Sequence, residues 1–182
     1  EPYGPLTPKE AEDIFAEQIA ALVEGGIDLV LAETHYDADE MSRVLRAARQ
    51  VCDLPVFCTY ACDPRGRTMM GLRAADAARR AAEEGADAVG ANCGQGPAAV
   101  RAALADMQGI TDLPLVAQAN AGIPRLAGSG AGSGTAVWDV TPEQMAEHAR
   151  EFYALGARVI GGCCGAMPEH IAAMAAALRA IG

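Results

Sequence analysis

Two adjacent cysteines in a glycine-rich turn are the residues of this sequence that are best suited to chemistry. Cys163 and Cys164 lie between Gly162 and Gly165, shortly after the apolar run from Ala157 to Ile160. Neighbouring cysteines rarely form a disulfide with each other, because the bond geometry is strained. Since thiolates are soft metal ligands, the pair indicates a platform that a third thiolate would complete.

Cys93 is the candidate for that third ligand. It stands in the stretch Gly90-Ala91-Asn92-Cys93-Gly94, which occupies the same place in an earlier repeat of the chain. Three protein ligands with one open position are the pattern of a catalytic zinc site, whereas a structural site has a fourth protein ligand. The alternative is that Cys93, Cys163 and Cys164 are small hydrophobic residues in tight turns. The spacing favours zinc.

Other residues are weaker candidates for a fourth ligand. His35 and His170 lie near predicted helix starts, where a lone histidine more often orients a neighbour or is solvated. Cys62 ends a strand but is not in a glycine turn. Cys52 falls in a helix tail and Cys58 in the middle of a strand, so we assign these two thiols to the packing of the fold.

Glu33 and Asn120 are the candidate substrate-binding residues. Both follow apolar runs, and the carboxyl ends of parallel strands meet at one edge of a sheet, which is where ligands bind. Glu33 could pair with an arginine or cap the next helix. The alternative is that it binds a substrate ammonium group, and its place at the same edge as the thiols favours that role.

Five short apolar runs must position these residues. Such runs, apolar on both faces, are typical of strands buried in a parallel sheet. Alanine-rich amphipathic segments of helical period separate them, so the order is one helix followed by five βα units. The runs start near Ile27, Val56, Ala86, Leu115 and Ala157. The helices are predicted from Thr7, where a capping box opens the first, to Gly25, then over 39–51, 74–84, 97–107, 142–155 and 168–180.

One long interruption separates the fourth run from the fifth. It contains the glycine- and serine-rich segment from Leu126 to Gly134, followed by a short extended piece from Thr135 to Val140. A phosphate-binding glycine loop would join a strand directly to a helix, and this segment does not. We therefore predict a flexible surface loop, with a lid over a ligand as the alternative.

Length and composition exclude several classes of protein. The chain has 182 residues, enough for one domain with a buried core, and begins with Glu1 rather than Met, so we expect a processed or truncated piece. Its net charge of −10 argues against nucleic acid or an anionic membrane as a partner. No apolar run approaches the roughly 18 residues of a membrane span, and no signal peptide is visible. The six cysteines are therefore expected to be reduced thiols in the cytoplasm.

These motifs together resemble the homocysteine S-methyltransferase family. The similarity covers essentially all 182 residues, and the two cysteine motifs in this order are specific to that family. The resemblance rests on Gly90–Gly94, Gly161–Gly165, Pro168–Ile171, Glu33-Thr34, Gly66–Thr68, Asn120–Pro124 and Tyr3-Gly4.

The resemblance implies a fold and a site. The fold would be a TIM (β/α)8 barrel, present here as its last five βα units, with residues 1–182 forming a single homocysteine-binding domain whose N-terminal part is absent. Zinc would be held by Cys93, Cys163 and Cys164, with homocysteine bound to it through its thiol. Glu33 would contact the homocysteine amino group.

The resemblance also implies an activity, namely methyl transfer to the homocysteine thiol, giving methionine. It leaves the methyl donor open between methyl-folate through cobalamin bound by other domains, S-methylmethionine and betaine. A non-catalytic, zinc-binding partial barrel that acts only as a binding module is the main rival, because a complete barrel has eight strands. A redox role for Cys163 and Cys164 is disfavoured, since thiol oxidoreductases space their cysteines as Cys-x-x-Cys. Exposed barrel edges predict self-association.

Overall fold

The chain is built on short strands and the helices that connect them. The computed structural model describes residues 4–127 and 135–181. Its strands are β1 (Val30–His35), β2 (Val56–Tyr60), β3 (Ala88–Cys93), β4 (Leu115–Ala119), β5 (Arg125–Ala127), β6 (Thr135–Val137) and β7 (Ala157–Gly162). Its helices are α1 (Pro8–Glu24), α2 (Ala38–Val51), α3 (Ala74–Glu83), α4 (Pro97–Met107), α5 (Pro142–Ala154) and α6 (Pro168–Arg179).

The central sheet is parallel and follows the order β1-β2-β3-β4-β7. Each strand of this sheet is followed by a helix, in the case of β4 after β5 and β6, so the sheet is a series of five βα units preceded by α1. Every apolar run that the sequence singles out forms one of these strands, and every predicted helix is present. The prediction of one helix and five βα units is confirmed.

Local signals explain where the helices begin. At α1 the Thr7 backbone N–H donates to Glu10 Oε2 at 2.8 Å, which is half of the predicted capping box. Thr141 and Gln144 form the same box at the start of α5, and Asp37 caps α2 through its side chain.

Within the described ranges, each helix is too short or too polar to cross a lipid bilayer.

The two faces of the sheet differ in burial. On β1, Val30 and Ala32 belong to the core that the helices cover, while Leu31 and Glu33 are exposed. Side chains alternate along a strand, so Leu31 and its register partner Phe57 lie on the opposite face. Val159 of β7 is 38% exposed and lies on that face as well. We call the face that carries Leu31, Phe57 and Val159 the inner face.

The interruption between β4 and α5 contains a hairpin that the sequence does not reveal. Strands β5 and β6 pair in antiparallel fashion, with Leu126 opposite Ala136. The predicted extended piece thus begins with β6. Most of the glycine- and serine-rich segment, residues 128–134, lies outside the described residues, so its prediction as a surface loop stays a prediction.

Asp87 fixes the register at the start of β2 and β3. One carboxylate oxygen accepts the Val56 backbone N–H and an Arg49 guanidinium N–H, each at 2.7 Å. Arg49 also donates to the carbonyl oxygens of Leu54 and Gly85, which precede these strands. Burial acts to raise the pKa of Asp87, but the Val56 N–H and Arg49 outweigh it and hold that pKa below its usual value.

We expect Asp87→Ala to lower the free energy of unfolding by about 1–2 kcal/mol at pH 7, because a half-exposed but charge-assisted hydrogen-bond acceptor is lost. The folded pKa is lowered, so the contribution is present above the unfolded value of about 3.9 and disappears as pH falls through the folded value. Denaturant unfolding at pH 7 and below pH ~3 measures this. Asp13→Ala, which removes an exposed pair on α1, is the control. A wild-type advantage over Asp87→Ala that grows at low pH would contradict the prediction.

Candidate metal centre

The structure brings three cysteine sulfur atoms together at the carboxyl edge of the sheet. The Sγ atoms of Cys93, Cys163 and Cys164 lie within 4.8 Å of one another, and those of Cys163 and Cys164 are 4.0 Å apart. Cys93 and Cys163 are half-buried, while Cys164 is exposed. The cluster is therefore held by the protein on one side and accessible on the other.

Cys93 reaches the cluster because β3 ends in a left-handed turn. Cys93 itself has φ +54°, a conformation that few residues other than glycine adopt, and Gly94 follows with φ +62°. A Cβ atom at Gly94 would lie 2.4 Å from the carbonyl oxygen of Cys62. Only glycine fits between the end of β2 and this turn, which explains the Cys93-Gly94 sequence.

Cys163 and Cys164 extend β7 into a turn that is anchored on β4. The Cys163 N–H donates to the Ala119 carbonyl oxygen at 2.8 Å, and the Ala121 N–H donates to the Cys164 carbonyl oxygen at 3.0 Å. Gly165 then turns the chain toward α6 with φ +76°. The Trp138 ring packs directly on Gly165, where a Cβ atom would lie 2.1 Å from it.

Asn120 joins the two cysteine turns. Its Nδ2 donates to Cys93 Sγ at 3.6 Å and to the Gly94 carbonyl oxygen at 3.3 Å, while its Oδ1 accepts the Cys164 N–H at 3.0 Å. Its side chain is buried, with 4% exposure of the residue. These contacts organise the site, and the role of Asn120 in binding substrate stays a prediction.

The sulfur environment fits a cation. Burial, reinforced by the neighbouring thiols of Cys93 and Cys164, raises the pKa of the Cys163 thiol to about 11. The Cys164 backbone N–H and Asn92 Nδ2, which is 3.8 Å from Cys163 Sγ, act to lower this pKa, and a nearby positive charge would lower it further and favour the thiolate. Tetrahedral zinc with Zn–S bonds of about 2.3 Å needs sulfurs about 3.8 Å apart, so the cluster would contract only slightly.

The weaker ligand candidates lie elsewhere. His170 accepts the Met167 N–H at Nδ1 and donates from Nε2 to the Val140 carbonyl oxygen, each at 3.0 Å, so both ring nitrogens are engaged. His35 pairs with Glu40. Cys62 is buried, which raises the pKa of its thiol to about 12. Within residues 4–127 and 135–181, the group of potential metal ligands around the cysteines contains none of these residues.

Glu33 is exposed near the carboxyl end of β1. In the described part of the chain its carboxylate has no hydrogen-bond or ion-pair partner, and Asp37 rather than Glu33 caps α2. Both structural roles that the sequence allows for Glu33, pairing with arginine and helix capping, are thus absent from these residues. The carboxylate is available to a ligand.

The sequence analysis did not identify two residues that support the site. Trp138, the one tryptophan of the chain, supports the turn at Gly165 from a segment that carries no motif. Asn92 is fully buried and donates to Cys163 across the sheet. The polar Asn92 side chain in the otherwise apolar run of β3 could have indicated its role.

Comparison with known proteins gives a consistent result. The family model described as "Homocysteine S-methyltransferase" matches residues 1–178. The methionine synthase of Mycobacterium leprae is 30% identical over 172 residues, which are 91% of this chain and 14% of that protein. The chain therefore spans about one-seventh of the length of this relative.

Solved structures agree with the sequence match. The apo form of the homocysteine methyltransferase MmuM from Escherichia coli has a TM-score of 0.75 and 25% identity, covering 94% of this chain and 57% of that one. Its metallated form has a TM-score of 0.71 and 26% identity, covering 91% and 51%. The sheet is thus part of a TIM barrel, and the fold prediction is confirmed.

Proposed function

This chain belongs to the homocysteine S-methyltransferase family, and from that premise we propose that it binds homocysteine for methyl transfer to its thiol, giving methionine. The observation that carries the proposal is the cluster of three sulfur atoms within 4.8 Å of one another at the carboxyl edge of the sheet. Ligand sites of parallel βα barrels lie at this edge.

We propose that Cys93, Cys163 and Cys164 hold a zinc ion. Three sulfur ligands with an open fourth position are the donor set of a catalytic rather than a structural site, and the exposure of Cys164 leaves one side accessible. Bound there, zinc would lower the pKa of a substrate thiol and supply a thiolate at neutral pH. That a relative was solved in a metallated form supports a metal in this family.

The chain's own residues supply the rest of the binding. The N–H donors of Asn120 and Asn92 toward Cys93 and Cys163 offset negative charge on the sulfurs. The Glu33 carboxylate, unpaired among the described residues, is suited to the ammonium group of an amino acid. Homocysteine carries a thiol and an ammonium group, so it matches both ends of this site.

The transfer of the methyl group requires no oxidant or reductant. The homocysteine thiol loses its proton to solvent, its sulfur forms the new bond to the methyl carbon, and the donor keeps the electron pair of the bond that breaks. We propose that the methyl donor is bound by residues outside these 182, through other βα units or, if cobalamin is the carrier, through further domains.

We further propose that residues 1–182 form one homocysteine-binding domain whose barrel is completed by additional βα units beside β1 and β7. Among residues 4–127 and 135–181, these strands are the two edges of the sheet, and each pairs with one other strand. Leu31 and Val159 are exposed on the inner face of these edge strands. Open edges and an uncovered apolar face favour association with a further segment or with a second copy.

The first test concerns the metal. Cys93→Ser, Cys163→Ser and Cys164→Ser should each lose most of the zinc bound by the wild-type chain, because each removes one of three sulfur ligands. Elemental analysis after dialysis against a chelator measures the zinc content. Cys52→Ser, which changes a half-buried thiol at the end of α2, is the matched control and should retain it. Full retention in all three cluster variants would exclude the site.

A second test concerns Glu33. Glu33→Gln should weaken homocysteine binding by about 1.5–3 kcal/mol, the contribution of a charge-assisted hydrogen bond, without changing zinc content. Glu83→Gln removes the same charge from the exposed end of α3 and serves as the control. Calorimetric titration of the zinc-loaded chain with homocysteine measures both. Equal affinities for wild type and Glu33→Gln would remove Glu33 from the binding site.

A third test concerns the open barrel. The 182-residue chain alone should self-associate through the inner face and should form methionine more slowly than when a separate βα segment completes the barrel. Leu31→Glu places a charge on the inner face and should favour the monomer, whereas Met69→Glu, at a 78% exposed position in the β2–α3 connection, should not. Sedimentation and a methyl-transfer assay provide the readouts. A monomeric wild-type chain with undiminished activity would contradict this proposal.

A further inference from the structure

Strand β1 contains an irregularity next to the candidate substrate-binding residue Glu33. Ala32 pairs with Cys58 and His35 pairs with Tyr60, so β1 advances three residues where β2 advances two. One extra residue is therefore accommodated at Glu33-Thr34, which is the definition of a β-bulge. Bulges often lie beside active sites, because they change the direction in which a side chain points.

The bulge is strained at Thr34. Its φ of +66° lies in the left-handed region, which a β-branched residue rarely adopts. Such a conformation persists only where the surrounding structure holds it in place.

Asn92 of β3 supplies the contacts that hold Thr34. Its Oδ1 accepts the Thr34 backbone N–H at 2.9 Å, and its Nδ2 donates to Thr34 Oγ1 at 2.6 Å. The same Oδ1 accepts the Thr59 hydroxyl at 2.8 Å, which ties the group to β2. Asn92 is fully buried, with 0% exposure, as is its bond to Thr59, while its two bonds to the half-buried Thr34 are partly shielded from solvent.

The remaining hydrogen of the Asn92 amide points to the cysteine cluster. Nδ2 is 3.8 Å from Cys163 Sγ, and with that contact both amide hydrogens and both oxygen lone pairs of the side chain have partners. One planar carboxamide thus contacts the bulge beside Glu33 on one side and a candidate metal ligand on the other. Rotation of this group to improve one contact would break the others.

We infer that Asn92 is a positioning residue that holds the Glu33-Thr34 bulge in register with Cys163. The inference rests on the proposed function, in which Glu33 binds the ammonium group and Cys163 binds the metal. Because homocysteine would contact both ends at once, its affinity depends on the spacing between them, and Asn92 fixes that spacing. Neither Asn92 nor Thr34 needs to touch the substrate.

Substitutions at Thr34 test the contact with the bulge. Thr34→Val keeps the branched shape but removes the hydroxyl that accepts from Asn92, whereas Thr34→Ser keeps the hydroxyl. For the zinc-loaded chain we expect Thr34→Val to weaken homocysteine binding about 5- to 10-fold, the equivalent of one lost hydrogen bond. Thr34→Ser should bind as wild type does, and both should retain zinc.

Stability separates this role from a merely structural one. If Thr34→Val lowers the melting temperature but binds homocysteine as Thr34→Ser does, the inference is wrong. Should Thr34→Val fail to fold, Thr34→Ala replaces it, because alanine also lacks the hydroxyl but has no branch at Cβ. A well-folded Thr34→Ala with wild-type affinity would equally overturn the inference.

Asn92→Asp tests the contact with Cys163, with Co²⁺ as a spectroscopic probe and no homocysteine present. The aspartate keeps an acceptor for Thr34 and Thr59 but offers no N–H to the sulfur and adds negative charge beside it. We expect the thiolate-to-cobalt charge-transfer band to move to lower energy in Asn92→Asp and to stay unchanged in Thr34→Val. An unshifted band in Asn92→Asp would overturn the inference. Failure of the wild-type chain to bind homocysteine would instead overturn the proposed function, and the cobalt spectra would still decide on Asn92.

Discussion

The site depends on the register of the parallel ladder across β4. Cys93 lies opposite Ala119, and Ala119 lies opposite Gly162, so the ends of β3, β4 and β7 form one row across the sheet. The Cys163 N–H continues that row by donating to the Ala119 carbonyl oxygen. A slip of one residue in either pairing would turn a cysteine to the opposite face of the sheet. Strand pairing thus brings the two cysteine turns together, and the left-handed turn at Cys93 and Gly94 directs the Cys93 sulfur into the cluster.

The same row places three sulfur atoms, each a potential negative charge, close to one another. Three thiols converge on one point, and the donors to their sulfurs within the described ranges include the neutral amides of Asn92 and Asn120 and the Cys164 backbone N–H. Neutral dipoles orient the sulfurs without satisfying the charge that three thiolates would carry. The buried asparagines and the glycine turns at Gly94 and Gly165 preorganise the cluster, and the proposed zinc ion would supply the missing charge. This arrangement explains why polar residues occupy positions of the sheet where packing alone would favour apolar ones.

Much of this architecture could be predicted from the sequence because it rests on local signals. Apolar runs identified the strands, capping residues identified the starts of helices, and glycines marked the turns at Cys93 and at Cys163-Cys164. The convergence of these turns followed from the parallel order of the strands. The β1 bulge could not be predicted, because it depends on hydrogen bonds between Thr34 and Asn92, which are 58 positions apart. The β5–β6 hairpin was missed for a similar reason, since its short strands carry no periodic pattern.

The candidate metal ligands and the candidate substrate-binding residue Glu33 lie on different kinds of strand. Cys93 lies on β3, which pairs with a strand on both sides, and Cys163 follows β7, whose turn is anchored on β4. Glu33 lies on β1, which among the described residues pairs with β2 alone, at a bulge that departs from regular pairing. Regular ladder hydrogen bonds therefore do not fix the position of Glu33 as they fix the ends of β3 and β4. The buried contact from Asn92 is what the described residues provide to hold the carboxylate of the proposed homocysteine site opposite the sulfurs.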